Sequence, residues 1–242
     1  MIPKRVHCCW FGGKELPSLA KKCISSWREF HPDYDLTIWT EKTFDVERLK
    51  YTSQAYAQGK YAFVSDYARF DLLYRYGGIY MDVDVEVIRP LDRFLTEQAF
   101  SGFEHDLGVA PGLILGAVPR HPLIGELRAL YVEREFSRPN GSVDLTTVVD
   151  ITTELLGKKG LRSENVKQTV EGFAVYPISY FCPMDRHTGK TEITEETYTV
   201  HHYAASWLSP MSRTKQRAAR LLGPELTGRV VAVKTSMRKW FG

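Results

Sequence analysis

Four charged side chains in residues 65–89 have the types and the spacing of a site for a phosphorylated ligand. Asp66 and Arg69 are three residues apart, so on a helix they share one face. Asp82 and Asp84 are two residues apart, so on a strand they also share one face. Two such carboxylates can hold a hard divalent cation that keeps positions for a phosphate, and an arginine can take further phosphate or sugar contacts. We interpret the segment as a nucleotide-diphosphate site.

The elements that position these side chains are a helix, a glycine pair and a strand. Gly77-Gly78 supplies the positive φ that commonly ends a helix, and the following apolar residues alternate with acids. Taken alone, Asp-Val-Asp also fits the solvated face of a strand, and the helical Asp/Arg pair also fits a surface ion pair. The uninterrupted combination with Tyr80 favours the site.

The same run carries a family resemblance. Residues 65–84 read S-D-x-x-R-x-x-x-L-x-x-x-G-G-x-Y-x-D-x-D, which resembles the DXD signature of glycosyltransferase family 32-like enzymes. These include yeast initiating mannosyltransferases and bacterial capsule or lipopolysaccharide transferases. Residues 2–12 are similar to the family's opening I-P-K-x-I-H-x-x-W-x-G, and residues 202–207 to its closing H-x-x-x-S-W.

The resemblance implies a function and a fold. The fold is α/β, a single domain of the GT-A type with a Rossmann-like mixed sheet flanked by helices, followed by a helical basic appendage. The implied reaction is a metal-dependent, retaining transfer of a hexose from a UDP- or GDP-sugar to a glycan or lipid-linked acceptor, as in capsule or lipopolysaccharide synthesis. The implied cofactor is Mn²⁺ or Mg²⁺. Asp84 would bind it, with Asp82 nearer the sugar or ribose, while Asp66 and Arg69 hold sugar hydroxyls.

The candidate residues fall into three overlapping groups. The catalytic candidates are Asp66, Arg69, Asp82 and Asp84. The candidates for donor binding are Trp10, Thr40, Asp66, Arg69, Tyr80, Asp82, Ser206 and Trp207. The candidates for metal binding are Asp84, Asp82 and His202.

Several of these residues have an equally plain structural interpretation. Trp10 ends the first predicted strand, where its ring either stacks on a base or packs in the core. His202 is either a metal or diphosphate ligand or a structural histidine, and His201 is expected to point away from the site. The family's acceptor-side turn is absent, so the acceptor residues do not carry over. His105, Asp106 and Asp144 are either acceptor-side groups or solvated loop residues.

Composition bounds the class of protein. The chain has 242 residues, 43% hydrophobic and 25% charged, which is ordinary for a globular protein with one large α/β domain or two small ones. A net charge of +3 is too small to indicate nucleic acid. No apolar run reaches membrane-spanning length, so a cytoplasmic enzyme is expected. The four cysteines lack metal-binding spacing and are predicted to be free and buried.

The C-terminal segment differs from the rest. We predict a catalytic domain over residues 1–211 and a basic amphipathic segment over residues 212–242, where lysines and arginines interleave with apolar residues. Such a segment either lies on an anionic membrane, which would place the enzyme at the inner face of the cytoplasmic membrane, or covers the domain as basic helices.

Hydrophobic periodicity predicts the order of elements. Strands are expected over residues 6–11, 34–39, 81–87, 100–104, 113–115, 173–177 and 198–202. Helices are expected over residues 17–30, 61–76, 121–136 and 146–156, and residues 44–56 are irregular or helical. The strand–helix–strand opening is typical of an α/β domain with parallel strands.

Two other classes of function remain open. A haloacid-dehalogenase-type phosphohydrolase would use Asp82 as a nucleophile, but that class has its motif after the first strand. A non-catalytic carbohydrate- or membrane-binding protein would make the basic tail the principal feature. Such a protein is expected to have lost one of the four charged residues, and all four are present.

Overall fold

The structure, a computed structural model, describes residues 1–138, 141–185 and 188–204. Ser206, Trp207 and the predicted segment 212–242 lie outside the described residues. The strands are β1 Arg5–Cys9, β2 Asp35–Trp39, β3 Gly78–Tyr80, β4 Val85–Val87, β5 Ala99–Gly102, β6 Leu115–Ala117, β7 Gln168–Val170, β8 Phe173–Tyr176 and β9 Thr199–His201. The helices are α1 Ser18–Phe30, α2 Lys50–Ala57, α3 Tyr61–Tyr76, α4 Pro122–Ala129, α5 Val148–Lys158 and α6 Ile178–Phe181.

A mixed seven-stranded sheet forms the centre of the fold, in the order β2-β1-β3-β6-β5-β8-β7. Strand β1 pairs in parallel with β2 and β3, whereas β6 runs antiparallel to both of its neighbours. Two hydrophobic clusters pack on the sheet, one containing most of α3 and the other containing α1. This is the predicted α/β architecture. No helix among the described residues is long and apolar enough to cross a membrane.

Helix α3 has the predicted bounds and is buried along most of its length. Its apolar residues contact β1, β3 and α4, so its two faces are both covered. It ends at Gly77, which has φ of 63°, and Gly78 follows with φ of 107°. A Cβ on Gly78 would lie 2.8 Å from the Arg5 carbonyl oxygen, so the glycine lets β3 pair closely with β1.

The predicted strand over residues 81–87 is wrong at residues 81–84, because only β4, Val85–Val87, is a strand in that range. Burial alternates as expected, but Asp82 and Asp84 lie in a turn between β3 and β4, which the Val85 N–H closes on the Asp82 carbonyl at 3.0 Å. Strand β4 leaves the main sheet and pairs with β9. Aspartate favours turns because its side chain competes for backbone hydrogen bonds, so the two carboxylates sit at the break.

The predicted helix over residues 121–136 is too long. Helix α4 ends at Ala129, and the next residues form turns in which Leu130 is exposed and Tyr131 is buried. The apolar spacing continues past the helix because the turns also pack against the core. Strands β3 and β7 and helix α6 have no counterpart among the predicted elements, since all three are short.

The four cysteines are free and buried, as predicted. Cys8 and Cys9 belong to different hydrophobic clusters, which fits their alternating orientation on β1.

Candidate functional site

Helix α3 and the turn after β3 bring three of the four charged candidates into one network. The guanidinium Nη2 of Arg69 lies 2.8 Å from Asp66 Oδ1 and 3.5 Å from Asp82 Oδ1. Arg69 is only 3% exposed, whereas the Asp82 side chain is 32% exposed. The arginine therefore connects a buried carboxylate to one that faces solvent.

Tyr80 and Gly112 shape this network from two sides. The Tyr80 hydroxyl donates to Asp82 Oδ1 at 3.0 Å, and the Arg69 guanidinium stacks 4.8 Å from the centre of the Tyr80 ring. A Cβ on Gly112 would lie 2.3 Å from Asp82 Oδ2 and 3.2 Å from Arg69 Nη1. Position 112 therefore admits no side chain without displacing the network.

Burial perturbs the acid–base groups of the network. It raises the pKa of Asp66 to about 6, because desolvation of the carboxylate outweighs the attraction of Arg69. Burial also raises the pKa of the neighbouring Cys9 thiol to about 12, so Cys9 is a neutral wall residue and not a nucleophile.

Asp84 has a separate set of partners. Its Oδ1 lies 3.2 Å from His201 Nε2, and its Oδ2 accepts from the Ala204 N–H at 2.8 Å. Burial would raise the pKa of Asp84, but His201 and Ala204 reverse the direction and hold it below its usual value. Likewise, burial would lower the pKa of His201, but Asp84 raises it above its usual value. Asp84 is therefore an ionised carboxylate.

The two adjacent histidines make different contacts from those predicted. His201, which was expected to point away, contacts Asp84. The ring of His202 instead lies 2.8 Å from Glu86 Oε2, a carboxylate that also binds Lys22. Strand β9 pairs with β4 so that His201 lies opposite Val85. The strand ends at His201, so the alternation of side-chain direction along a strand does not extend to His202.

The donor set was tested against the implied divalent cation. Asp82 and Asp84 supply carboxylate oxygens, which bind both Mg²⁺ and Mn²⁺. His201 supplies an imidazole nitrogen, which Mn²⁺ also accepts. Within residues 1–138, 141–185 and 188–204, however, no three His, Cys, Asp or Glu side chains form a group that could hold a metal ion. Both Asp84 oxygens already accept hydrogen bonds. The ligand types fit, and a cation would have to replace one of those bonds.

Trp10 and Thr40, the other described donor candidates, form hydrogen bonds with residues close to them in the chain. The half-buried Trp10 follows β1, and its indole N–H donates to the Lys14 carbonyl at 2.5 Å. The Thr40 hydroxyl accepts from the Lys42 N–H inside its own turn. Both therefore make local contacts, and their donor roles stay predictions. Asp144 is not a solvated loop residue: it is buried and lies 2.6 Å from Arg134 Nη2.

Two residues of the site were missed in the sequence. Gly112 has no signal of its own, because its role arises from contacts across the fold. For His201, the signal was its position: it is the last residue of β9, whereas the H-x-x-x-S-W pattern begins one residue later, at His202.

The described site agrees with a family match. Residues 17–101 match the family model described as "Glycosyltransferase sugar-binding region containing DXD motif". They contain Asp66, Arg69, Tyr80, Asp82 and Asp84. The matched stretch is therefore similar to a DXD glycosyltransferase region.

Curated proteins that are similar to this chain include two yeast enzymes. A mannosyl phosphorylinositol ceramide synthase (SUR1) of Saccharomyces cerevisiae is 32% identical over 134 residues, 54% of this chain and 34% of that protein. Inositol phosphoceramide mannosyltransferase 3 of Schizosaccharomyces pombe is 30% identical over 135 residues, 51% of this chain and 35% of that protein. The chain spans about a third of the length of these relatives. The predicted resemblance to DXD glycosyltransferases is therefore confirmed for the matched residues.

Solved structures confirm the fold. The PaToxG glycosyltransferase matches with a TM-score of 0.53 at 18% identity, over 66% of this chain and 70% of that one. A glycosyltransferase involved in glycosylation of the PBCV-1 major capsid matches with a TM-score of 0.50 at 12% identity, over 88% of this chain and 98% of that one. The prediction of a GT-A-type fold is therefore confirmed.

Proposed function

We propose that the chain transfers a hexose from a UDP- or GDP-hexose to a glycan or lipid-linked acceptor, with a divalent cation and with retention of the anomeric configuration. The observation that carries this proposal is the Asp66–Arg69–Asp82 network, in which a buried carboxylate and a guanidinium are held beside the solvent-facing Asp82. Carboxylate acceptors and guanidinium donors are the groups that orient sugar hydroxyls and phosphates.

Each residue of the described site has its own part in the proposed reaction. Asp66 and Arg69 orient the donor sugar, and the Tyr80 hydroxyl fixes the Asp82 carboxylate. His201 and the Ala204 N–H keep Asp84 ionised. A divalent cation, when bound by Asp82 and Asp84, supplies Lewis-acid stabilisation of the diphosphate. In a front-face reaction the departing phosphate accepts the acceptor's proton, so no nucleophilic residue is required.

The named relatives support a lipid-linked acceptor. Their names place mannose on inositol phosphoceramide, a lipid that carries a phosphate. We therefore favour a mannose or related hexose donor and an acceptor at a membrane surface, with residues 212–242 as the membrane contact at the cytoplasmic face. A role in bacterial capsule or lipopolysaccharide synthesis stays a prediction.

Hydrolysis of a donor panel tests the proposal. UDP-glucose, UDP-galactose, UDP-N-acetylglucosamine and GDP-mannose are incubated with the enzyme, with Mn²⁺, with Mg²⁺ and with EDTA, and released nucleotide is measured. We expect slow hydrolysis of one donor, dependent on metal and lost in Asp82→Asn. Failure to hydrolyse any donor, with Asp82-dependent hydrolysis of p-nitrophenyl phosphate, would instead support the phosphohydrolase.

A further inference from the structure

Three buried polar atoms without hydrogen-bond partners belong to one cluster of side chains. They are the hydroxyls of Tyr51 and Tyr131 and the Nε of Arg134. An unpaired buried donor is costly, so native structures rarely leave one unsatisfied. Three such atoms in side chains that contact one another therefore need an explanation.

The cluster joins three parts of the chain. Tyr51 is on α2 and Tyr131 follows α4, and their rings meet edge to face with centroids 5.1 Å apart. The Arg134 guanidinium lies 5.7 Å from the centre of the Tyr131 ring, and its Nη2 is held by Asp144. The ion pair and the ring contacts hold the three side chains beside one another.

This cluster adjoins the donor site through Asp66. The Asp66 carboxylate interacts electrostatically with both phenols, and Arg69 interacts with Tyr131. Burial, followed by the charge of Asp66, raises the pKa of both phenols, so both keep their protons. Asp66 is therefore shared between the donor-site network and the two phenols.

We propose that Tyr51, Tyr131 and Arg134 bind a hydroxyl of the donor hexose beyond those held by Asp66 and Arg69, and so select hexoses that carry this hydroxyl over their deoxy analogues. A hydroxyl guest can accept from the phenols and from Arg134 and can donate in return. A site built to bind a substrate hydroxyl strongly rejects the analogue that lacks it, because buried donors are then left unpaired. This inference rests on the proposed function.

A cycle of protein and substrate changes tests the inference. The best donor of the panel and its 4-deoxy and 6-deoxy analogues are hydrolysed by wild type, Tyr131→Phe, Tyr51→Phe and the double variant. We expect wild type to prefer the parent sugar over one analogue by about 100-fold in kcat/KM. Each Phe variant should lose about tenfold or more with the parent and little with that analogue, so that the preference collapses.

The matched control is Tyr34→Phe, which removes a buried phenol hydroxyl from the other hydrophobic cluster and should leave the preference unchanged. Thermal unfolding verifies that every variant is folded. A preference that stays within twofold of wild type in the double variant overturns the inference, and indicates an enclosed water as the guest. In that outcome wild-type hydrolysis persists, whereas loss of the proposed function would appear as no hydrolysis of any donor by wild type.

Discussion

Helix α3 carries two buried Asp–Arg clusters that differ in what they leave unpaired. Asp71 is fully buried and accepts from Arg128 Nε at 2.7 Å and from Arg75 Nη1 at 3.3 Å, with Arg48 at 3.9 Å. These arginines come from α4, from α3 and from the segment before α2. In the other cluster, Arg69 joins Asp66 to Asp82, which remains about a third exposed.

The comparison separates a structural ion-pair cluster from the proposed donor site on the same helix. At Asp71 the carboxylate is fully surrounded by cations of the same chain, and it connects elements of the fold. At Asp82 the missing side chain of Gly112 leaves room for the carboxylate, which reaches solvent. Sequence spacing alone presents both clusters as Asp/Arg pairs on a helix. Substitutions at the two clusters should therefore separate stability from donor binding.

The largest expected effect is on stability, at Asp71. Asp71→Ala removes two charge-assisted hydrogen bonds between the buried carboxylate and partly exposed arginines, which is expected to cost about 3 kcal/mol of unfolding free energy. Urea denaturation followed by circular dichroism measures the loss. Nucleotide affinity of the remaining folded protein should stay within twofold. A variant with normal stability but impaired donor binding would place Asp71 in the functional site and remove the contrast.

Gly112→Ala should lower activity and leave the stability of the fold nearly unchanged, the opposite of Asp71→Ala. The added methyl would displace Asp82 and Arg69, so kcat/KM for donor hydrolysis is expected to fall about 100-fold, equivalent to about 2.7 kcal/mol. The matched control is Gly157→Ala in α5, where a Cβ meets no atom within 4 Å. Steady-state hydrolysis and thermal unfolding are measured for both. Normal activity in Gly112→Ala would show that the network does not shape the donor site.

The buried Asp66 predicts a pH dependence of stability. Its pKa of about 6 in the folded state lies above the unfolded value of about 3.9, so the folded state binds more protons between these values. Asp66 therefore lowers the unfolding free energy as pH rises from about 4 to about 6, by on the order of 2 kcal/mol. Urea titrations across this range compare wild type with Asp66→Asn. An identical slope in both proteins would contradict the raised pKa.

The smallest expected difference separates the two histidines. His201→Ala removes the imidazole beside Asp84 and should weaken Mn²⁺-dependent nucleotide binding about tenfold, or about 1.4 kcal/mol. His202→Ala removes a contact to Glu86 and should change binding less than twofold. Fluorescence titration with a labelled nucleotide measures both. The reverse order of effects would restore His202 as the predicted metal residue.

Sequence patterns predicted those features of the fold that depend on neighbouring residues in the chain. The bounds of α3 followed from its periodicity and the glycine pair, and burial at residues 81–87 alternated as predicted. The break between β3 and β4 could not be predicted, because it depends on β4 pairing with β9 more than a hundred residues later. The same pairing brings His201 to Asp84. Gly112 likewise enters the site through tertiary contacts, which spacing along the chain does not encode.

Isothermal titration calorimetry of UDP and GDP, with Mn²⁺ and with EDTA, tests the central claim most directly. Wild type is compared with Asp84→Asn and with Glu86→Gln, a neighbouring carboxylate that contacts Lys22 and His202 instead. We predict that one nucleotide binds only with Mn²⁺, that Asp84→Asn abolishes the Mn²⁺ dependence together with most of the affinity, and that Glu86→Gln binds like wild type. Nucleotide binding that is equal with EDTA and unchanged in Asp84→Asn would contradict a cation-held diphosphate at this site.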